Sequence, residues 1–252
     1  MDFKVVIPAR YASTRLPGKP LLLIAGKPMI QHVFERARLS GASETVVATD
    51  DQRIADVVAG FGGEVCMTSA EHRSGTDRIA EVVKRLGWAD DEIVVNLQGD
   101  EPTMPGALVK QVALDMARHT DAVITTLSTT ISDRDTLFDP HVVKVVTDSA
   151  GYALYFSRAP IPWHRDEFLH PDRPLPEAGH FQRHIGLYAY RAGFLEQFVN
   201  WPPAPLEIAE SLEQLRVIWH GKRIHVSEAI EVPGQGVDTR DDLKRVEISL
   251  KG

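Results

Sequence analysis

The chain has 252 residues, of which 43% are hydrophobic and 25% are charged, and its formal net charge is −7. This composition suits one large domain or two small ones and excludes a disordered chain, while the negative charge argues against general binding of nucleic acid. The single cysteine, Cys66, excludes a disulfide framework and a cysteine-rich zinc site within one chain and fits a reducing compartment.

The first half of the chain predicts alternating strands and helices. Residues 1–10 lead directly into a strand pattern, so we expect no signal peptide, and no apolar run approaches the length of a membrane span. β-branched runs predict strands at 4–7, 45–49, 92–97 and 122–126, and apolar faces of helical spacing predict helices around 29–37, 54–58, 79–86 and 108–116. This alternation indicates βαβ units and a mainly parallel sheet, in which ligands bind beyond the carboxyl ends of the strands.

The second half has a different pattern. Two strands at 142–147 and 152–156 flank Asp148–Gly151, which predicts a hairpin, and the prolines between 160 and 176 predict an irregular loop. A strand at 185–190, a helix at 211–219, a strand at 223–226 and an amphipathic helix carrying Leu243, Val246 and Leu250 follow. Because no repeat or linker interrupts the chain, we expect residues 1–252 to form one continuous domain.

The loop after the first strand combines three cations with the start of a helix. Arg10, Arg15 and Lys19 lie within ten residues, and a triphosphate needs both positive groups and free backbone N–H donors. The loop lacks the Walker spacing, since Pro20 follows Lys19, and the chain lacks the glycine fingerprint of dinucleotide-binding folds there. The alternative is a solvated basic loop, in which an exposed Lys19 contributes little to stability.

Two aspartates follow strand-like runs and are candidate magnesium ligands. Asp100 follows the strand at 92–97, where one or two carboxylates with substrate phosphates would hold the ion. The alternative for Asp100 is a turn or helix cap built with Pro102. Asp238 offers a second carboxylate before the final helix, where Asp238 or Thr239 could equally be an ordinary N-cap.

Two further polar segments have competing interpretations. Ser74 and Thr76 precede the third predicted helix and could hydrogen-bond a base edge, or simply cap that helix. His180 and His184 are four residues apart, but they precede a predicted strand and have no evident third ligand, which argues against a metal site there.

Seven segments carry a resemblance that covers nearly the whole chain in order. They begin at Ile7, Cys66, Val95, Val142, Arg183, Pro205 and Val232, and read IPARYASTRLPGKPLLLIAGKP, CMTSAEHRSGTDRIAEV, VNLQGDEP, VVKVVTDSAGYALYFSRAPIPW, RHIGLYAYRAGF, PLEIAESLEQLRV and VPGQGVDTRDDLKRV. On these motifs the sequence closely resembles the bacterial 3-deoxy-manno-octulosonate cytidylyltransferases, also called CMP-KDO synthetases.

The resemblance implies a fold and a reaction. The fold is a single α/β domain of the nucleotide-diphospho-sugar transferase type, with a mostly parallel nucleotide-binding sheet flanked by helices and residues 140–190 as a dimerisation and sugar-side region. The reaction is CTP plus 3-deoxy-manno-octulosonate (KDO) giving CMP-KDO and pyrophosphate, for lipopolysaccharide biosynthesis. It further implies dependence on Mg²⁺, a homodimer, a cytoplasmic location and no nucleic-acid or membrane partner.

The resemblance also assigns roles by position. It places Ala9, Arg10, Arg15 and Lys19 in the phosphate loop, Ser74, Gly75 and Arg78 in the cytosine-reading segment with Gln98 nearby, Asp100 and Asp238 at the metal, and Arg158, His184, Tyr188, Glu213 and Gln214 around the sugar. Lys19, Asp100 and Asp238 are expected to carry catalysis.

Three alternatives stay open on the sequence. A related synthetase could use another acidic sugar, such as a sialic acid or an amino analogue of KDO. A nicotinamide-dependent oxidoreductase would share the α/β class but should carry the missing glycine fingerprint. A non-catalytic nucleotide-binding protein would bind CTP without releasing pyrophosphate.

Overall fold

The computed structural model of the chain describes residues 2–12, 16–170, 174–176 and 180–251. Its strands are β1 (Lys4–Ala9), β2 (Leu23–Ile24), β3 (Lys27–Pro28), β4 (Glu44–Thr49), β5 (Glu64–Met67), β6 (Ile93–Asn96), β7 (Ile124–Thr130), β8 (Lys144–Thr147), β9 (Ala153–Ser157), β10 (Gln182–Arg191) and β11 (Ile224–Glu228). Its α-helices are α1 (Met29–Leu39), α2 (Gln52–Gly60), α3 (Gly75–Leu86), α4 (Gly106–Arg118), α5 (Arg134–Phe138), α6 (Ala192–Val199), α7 (Pro205–Glu210), α8 (Leu215–Trp219) and α9 (Arg240–Lys251).

The central sheet runs in the order β11-β7-β10-β6-β1-β4-β5. β1 pairs in parallel with β4 and β6, β4 with β5, and β7 with β11. β10 alone on this path runs antiparallel, between β6 and β7. The mostly parallel sheet predicted from the alternating pattern is therefore confirmed.

Helices cover both faces of the sheet, which explains why β1 is apolar at successive positions. Val5 and Ile7 face a core shared with α1, α2 and α4, whereas Val6 faces a second core with α3, α6 and α8. All three side chains are fully buried. Successive side chains of a strand point to opposite faces, so a strand covered on both faces loses the polar alternation of an exposed sheet.

The predicted hairpin forms between β8 and β9. The strands pair antiparallel, and the Asp148 carboxylate accepts hydrogen bonds from the backbone N–H groups of Ala150 and Tyr152. Gly151 has a φ of 82°, the left-handed conformation that glycine adopts without strain. β8 also pairs with β10, so the hairpin extends the main sheet at one side.

Several elements differ from the sequence-based expectation. The helix expected at 211–219 begins only at Leu215, because Ser211 adopts a left-handed φ of 52° that ends α7. The elements that the sequence analysis did not predict are β2, β3, β5, α5, α6 and α7. In the part of the chain that the structure describes, no helix is both long enough and apolar enough to span a bilayer.

Candidate active site

The carboxyl ends of β1 and β6 and the amino end of α3 enclose a cleft of about 650 Å³. The cleft is lined by Pro8, Ala9, Arg10, Ala12, Lys19, Pro20, His72, Arg73, Ser74, Gly75, Arg78, Gln98, Gly99, Asp100 and Asp238. The nucleotide and metal residues assigned by resemblance thus line one cavity, with the exception of Arg15, which lies outside the described residues. A cleft at the carboxyl edge of a parallel sheet is where open α/β folds bind their ligands.

Lys19 lies between the two candidate metal ligands. Its Nζ donates to Asp100 Oδ2 at 2.6 Å, to Asp238 Oδ1 at 3.2 Å and to the backbone carbonyl of Val237 at 2.9 Å. The Lys19 side chain is only 14% exposed, so the expectation of an exposed loop cation is wrong, whereas its small effect on stability stays a prediction. The expectation that Asp100 and Asp238 lie close together agrees with this geometry.

Close backbone packing brings these two aspartates together. The backbone N–H of Val237 donates to the Asp100 carbonyl at 2.9 Å, which joins the loop after β6 to the loop before α9. A Cβ on Gly99 would lie 2.8 Å from the Pro8 carbonyl oxygen, and one on Gly236 would lie 2.7 Å from Glu101 Oε1. Gly99 therefore permits an approach to the β1 backbone that any side chain would block, whereas a side chain at Gly236 would require the Glu101 carboxyl to shift.

The amino end of α9 is capped without the Asp238 carboxylate. Asp242 Oδ2 accepts from the backbone N–H of Thr239 at 2.8 Å, and the Asp242 N–H donates to Thr239 Oγ1 at 3.2 Å. Thr239 and Asp242 thus form the reciprocal pair that satisfies a helix start. Of the two residues considered as the N-cap, Thr239 has that function, whereas the Asp238 carboxylate contacts Lys19.

The carboxylates at the cleft fit a magnesium ion better than an all-protein metal cage. No group of three or more His, Cys, Asp or Glu side chains suited to a metal occurs within the described ranges. Burial, followed by the nearby Asp100 charge, raises the pKa of Glu101 to about 8, so this third carboxyl is mostly protonated at neutral pH. Two carboxylates completed by substrate phosphates are the ligand set that Mg²⁺ prefers.

The base-side residues are held by internal contacts. Ser74 caps α3, because its Oγ accepts from the Asp77 N–H while its own N–H donates to Asp77 Oδ2. The buried Arg78 guanidinium donates to Thr68 Oγ1 and lies 3.4 Å from Asp50 Oδ2. The helix-cap alternative for Ser74 therefore describes its local role correctly, and cytosine reading by Ser74, Gly75 and Arg78 stays a prediction.

A smaller cavity of about 60 Å³ adjoins the cleft behind Gly75 and Gln98. Tyr188, Glu213 and Gln214, three of the five sugar-side predictions, line it. The Gln214 side chain is 6% exposed, and its Nε2 has no hydrogen-bond partner among the described residues. A buried donor without a partner is costly, so this amide is available to a ligand acceptor.

Arg158 and His184 do not line either cavity in the described structure. The Arg158 guanidinium donates to the backbone carbonyls of Glu210 and Pro140, at 2.7 and 3.0 Å. His184 is buried 3.0 Å from Thr126 Oγ1 and packs edge-on against Phe156. Their predicted contact with the sugar is untested, and in this conformation both side chains have structural partners.

We expect His184 to make the fold less stable in acid. Burial, with a smaller effect of the Arg183 charge, lowers the pKa of His184 from its ordinary 6.5 to about 3. Between these values the unfolded chain binds a proton that the folded chain does not, so the free energy of unfolding falls as pH falls from 6.5 towards 3. His184→Gln should flatten this slope in urea titrations across that range, with exposed His141→Gln as control. Equal slopes in both variants would contradict the assignment.

Sequence analysis did not single out several site residues. His72 and Arg73 line the cleft, and Asn96 and Tyr190 line the smaller cavity, where Thr76, a candidate for the base edge, also lies. A buried Asn at the end of the apolar strand β6 is the one local signal that could have been used, because an amide in such a position needs partners. Tyr190 gave no comparable signal, since a tyrosine in a strand is ordinary.

Cations and paired carboxylates at the carboxyl edge of a parallel sheet define the site of a nucleotidyltransferase-type α/β enzyme. The cytidylyltransferase family profile matches residues 4–224. The chain is 57% identical over 256 residues to the 3-deoxy-manno-octulosonate cytidylyltransferase of Pasteurella multocida, covering 99% of both chains. It is 61% identical over 244 residues to that of Pseudomonas fluorescens, covering 97% of this chain and 96% of the other.

A solved structure of a CMP:2-keto-3-deoxy-manno-octonic acid synthetase complexed with CTP superimposes with a TM-score of 0.90 at 43% identity, covering 100% of this chain and 99% of the other. The chain belongs to the cytidylyltransferase family and, within it, to the 3-deoxy-manno-octulosonate cytidylyltransferases. The family and the single α/β domain expected from the sequence motifs are therefore confirmed.

Proposed function

We propose that the chain transfers a cytidylyl group from CTP to KDO, giving CMP-KDO and pyrophosphate for lipopolysaccharide biosynthesis. The observation that carries the proposal is the convergence of Lys19, Asp100 and Asp238 at the rim of a cleft large enough for a nucleotide. Full-length identity of 57% and 61% to curated enzymes that bear this activity in their names supports the choice of substrates.

In the proposed reaction, the anomeric 2-hydroxyl oxygen of KDO forms a bond to the α-phosphorus of CTP. The bond from that phosphorus to the bridging oxygen of the β-phosphate breaks, pyrophosphate leaves, and the hydroxyl proton passes to solvent. Such transfers depend mainly on positioning and on charge neutralisation. No covalent enzyme intermediate is required.

Residues of this chain would hold the two anionic substrates at adjoining positions. Arg10, Lys19 and Arg73 provide positive charge around the nucleotide cleft. Glu213 and Gln214 offer an acceptor and a donor to the sugar in the smaller cavity. Asp100 and Asp238 would hold Mg²⁺, which when bound offsets the repulsion between the anions and stabilises the leaving pyrophosphate.

The proposal extends to the oligomeric state of the protein and to its location in the cell. We infer a cytoplasmic homodimer in which residues 140–190 contribute to dimerisation and to the sugar side. The β8–β9 hairpin pairs with β10 and carries Leu154, a large apolar residue that is 59% exposed. Sedimentation of the purified chain would measure the oligomeric state.

A pyrophosphate-release assay with Mg²⁺ tests the function directly. The panel pairs CTP with KDO, its amino analogue and a sialic acid, and pairs KDO with ATP and GTP. We expect release with CTP and KDO and strong discrimination against purines, because a site that hydrogen-bonds one base leaves buried partners unpaired with another.

Each other result has a defined meaning. Faster turnover of the sialic acid or of the amino analogue would make the chain a related synthetase for that sugar. Equal use of ATP would contradict cytosine recognition by the segment around Ser74 and Arg78. Tight CTP binding without pyrophosphate from any sugar would indicate a non-catalytic binding protein.

A further inference from the structure

The loop between β5 and α3, residues 68–74, forms one wall of the nucleotide cleft. It contributes His72 and Arg73 to the lining of that cleft. At its start the backbone N–H of Thr68 donates to the Thr49 carbonyl at 2.8 Å, and its last residue caps α3. The two ends of the loop are therefore fixed by the strand before them and the helix after them.

The middle of this loop is attached to α3 through one carboxylate. Within the part of the chain that the structure describes, residues 69–73 form no backbone-to-backbone hydrogen bond with the rest of the fold. Instead, Glu81 Oε2 accepts from the Ser69 N–H at 2.9 Å and from His72 Nε2 at 2.5 Å. A ring nitrogen that faces a carboxylate carries the proton, so the imidazole is the donor.

The Glu81 carboxylate is itself held in place and ionised. Arg85, one turn further along α3, donates from its Nε to Glu81 Oε1 at 2.6 Å, and the Glu81 side chain is only 18% exposed. Burial by itself raises the pKa of Glu81, but the hydrogen bonds from Ser69, His72 and Arg85 outweigh it and hold the pKa below its ordinary 4.5. The bonds to the loop are therefore charge-assisted, which makes them stronger than neutral ones.

Glu81 can act on a bound nucleotide only through the loop. Its side chain lines neither the nucleotide cleft nor the smaller cavity. A carboxylate turned towards a triphosphate would repel it, whereas Arg73 brings positive charge to the cleft. Because Arg73 directly follows His72, a contact that fixes the imidazole also fixes the backbone from which the guanidinium extends.

We propose that Glu81 is a positioning residue that binds the middle of the β5–α3 loop and thereby holds His72 and Arg73 at the nucleotide cleft. This inference rests on the proposed function, because it takes the nucleotide to be CTP. Glu81 need not touch either substrate. A loop released from Glu81 would occupy the same position only part of the time, and the apparent affinity for the nucleotide falls in proportion to that fraction.

The first experiment compares Glu81→Ala and Glu81→Gln by steady-state kinetics with CTP and KDO. Glu81→Ala should raise the KM for CTP about tenfold, the result for a loop that is correctly placed about a tenth of the time, while kcat and the KM for KDO change little. Both loop donors end on one oxygen of Glu81, and glutamine retains such an oxygen. Glu81→Gln should therefore restore most of the parent KM for CTP.

Limited digestion with trypsin gives a readout that needs no enzymatic activity. Trypsin cleaves after arginine and lysine, and loop segments that are poorly held are its preferred sites. We expect cleavage after Arg73 to be faster in Glu81→Ala than in the parent chain or in Glu81→Gln, with the fragments identified by mass spectrometry. Magnesium–CTP should slow this cleavage in all three chains.

Glu35→Ala is the matched control. Glu35 is a helix glutamate on α1 that accepts from Lys27 Nζ at 2.8 Å and from Gln31 Nε2 at 3.1 Å, and it lines neither cavity. The substitution removes the same kind of side chain, with a cationic and a neutral donor, far from the β5–α3 loop in sequence. It should leave the KM for CTP and the rate of cleavage after Arg73 unchanged.

The other outcomes separate the two proposals. If the parent chain turns over CTP and KDO but Glu81→Ala matches Glu35→Ala in the KM for CTP, the positioning role is wrong and the proposed function stands. A fall in kcat at an unchanged KM for CTP, or a raised KM that Glu81→Gln does not restore, would also overturn the positioning role. If the parent chain neither binds CTP nor releases pyrophosphate, the proposed function fails, and the trypsin rates alone decide whether Glu81 holds the loop.

Discussion

Asp100→Asn and Asp238→Asn should each fold normally and lose most cytidylyl transfer. Asparagine keeps the shape of aspartate but removes the charge that a divalent ion requires, and losing that stabilisation should cost several kcal/mol, on the order of a hundredfold or more in rate. Thermal unfolding should change little, because the start of α9 is capped by Thr239 and Asp242. The measurements are pyrophosphate release and binding of magnesium–CTP across a magnesium titration.

Asp133→Asn is a suitable control for these two variants. Asp133 is an aspartate N-cap of α5 that accepts from the Thr136 N–H at 2.8 Å, and it lines neither cavity. Asparagine caps a helix about as well as aspartate, so this variant should keep both stability and activity. Full activity of either test variant at limiting magnesium would remove that aspartate from the metal site.

Lys19→Met should lower turnover by roughly a hundredfold to a thousandfold, the range seen when one preorganised charge donor to a transition state is lost. Methionine keeps a long flexible side chain but leaves Asp100 and Asp238 facing each other without the ammonium between them. We therefore expect the metal-free variant to unfold at a lower temperature than the parent chain. Its free energy of unfolding should fall by about 1 kcal/mol or less.

Magnesium gives this variant a second readout. Added Mg²⁺ should recover more thermal stability in Lys19→Met than in the parent chain, because the ion replaces the missing positive charge between the two carboxylates. Exposed Lys27→Met, which removes only a surface pair with Glu35, is the control for loss of a lysine. Near-parent pyrophosphate release from well-folded Lys19→Met would exclude Lys19 from the mechanism.

The order of elements around the nucleotide was predictable because short-range patterns determine it. β1, β4 and β6 are β-branched runs, and the helices that follow them have clear apolar faces, so alternation alone indicated a parallel sheet. The edge of the sheet at which ligands bind then followed, because open parallel sheets bind ligands beyond the carboxyl ends of their strands. Asp100 and the loop from Arg10 to Lys19 could be placed there without coordinates.

The sugar side was harder to predict, because its geometry depends on long-range packing. Tyr188 lies opposite Asn96 only because β10 inserts antiparallel beside β6, and neither strand shows that pairing in its own sequence. The resemblance placed Arg158 at the sugar, yet its guanidinium donates to the backbone carbonyls of Pro140 and Glu210. Both carbonyls are brought to Arg158 by the fold, which local sequence does not show. The α7 helix was missed since its six residues are too few for a periodic signal.

The contact of Lys19 with Asp238 spans 219 positions in sequence, whereas its contact with Asp100 spans 81. During synthesis, the loop that carries Lys19 and the Asp100 carboxylate therefore leave the ribosome long before Asp238 does. Because the backbone hydrogen bond from Val237 to Asp100 forms only after that late segment docks, the two candidate metal ligands come together only after the last strand of the sheet has been synthesised. Competence for transfer would thus arise at a late stage of synthesis, after the sheet that supports it.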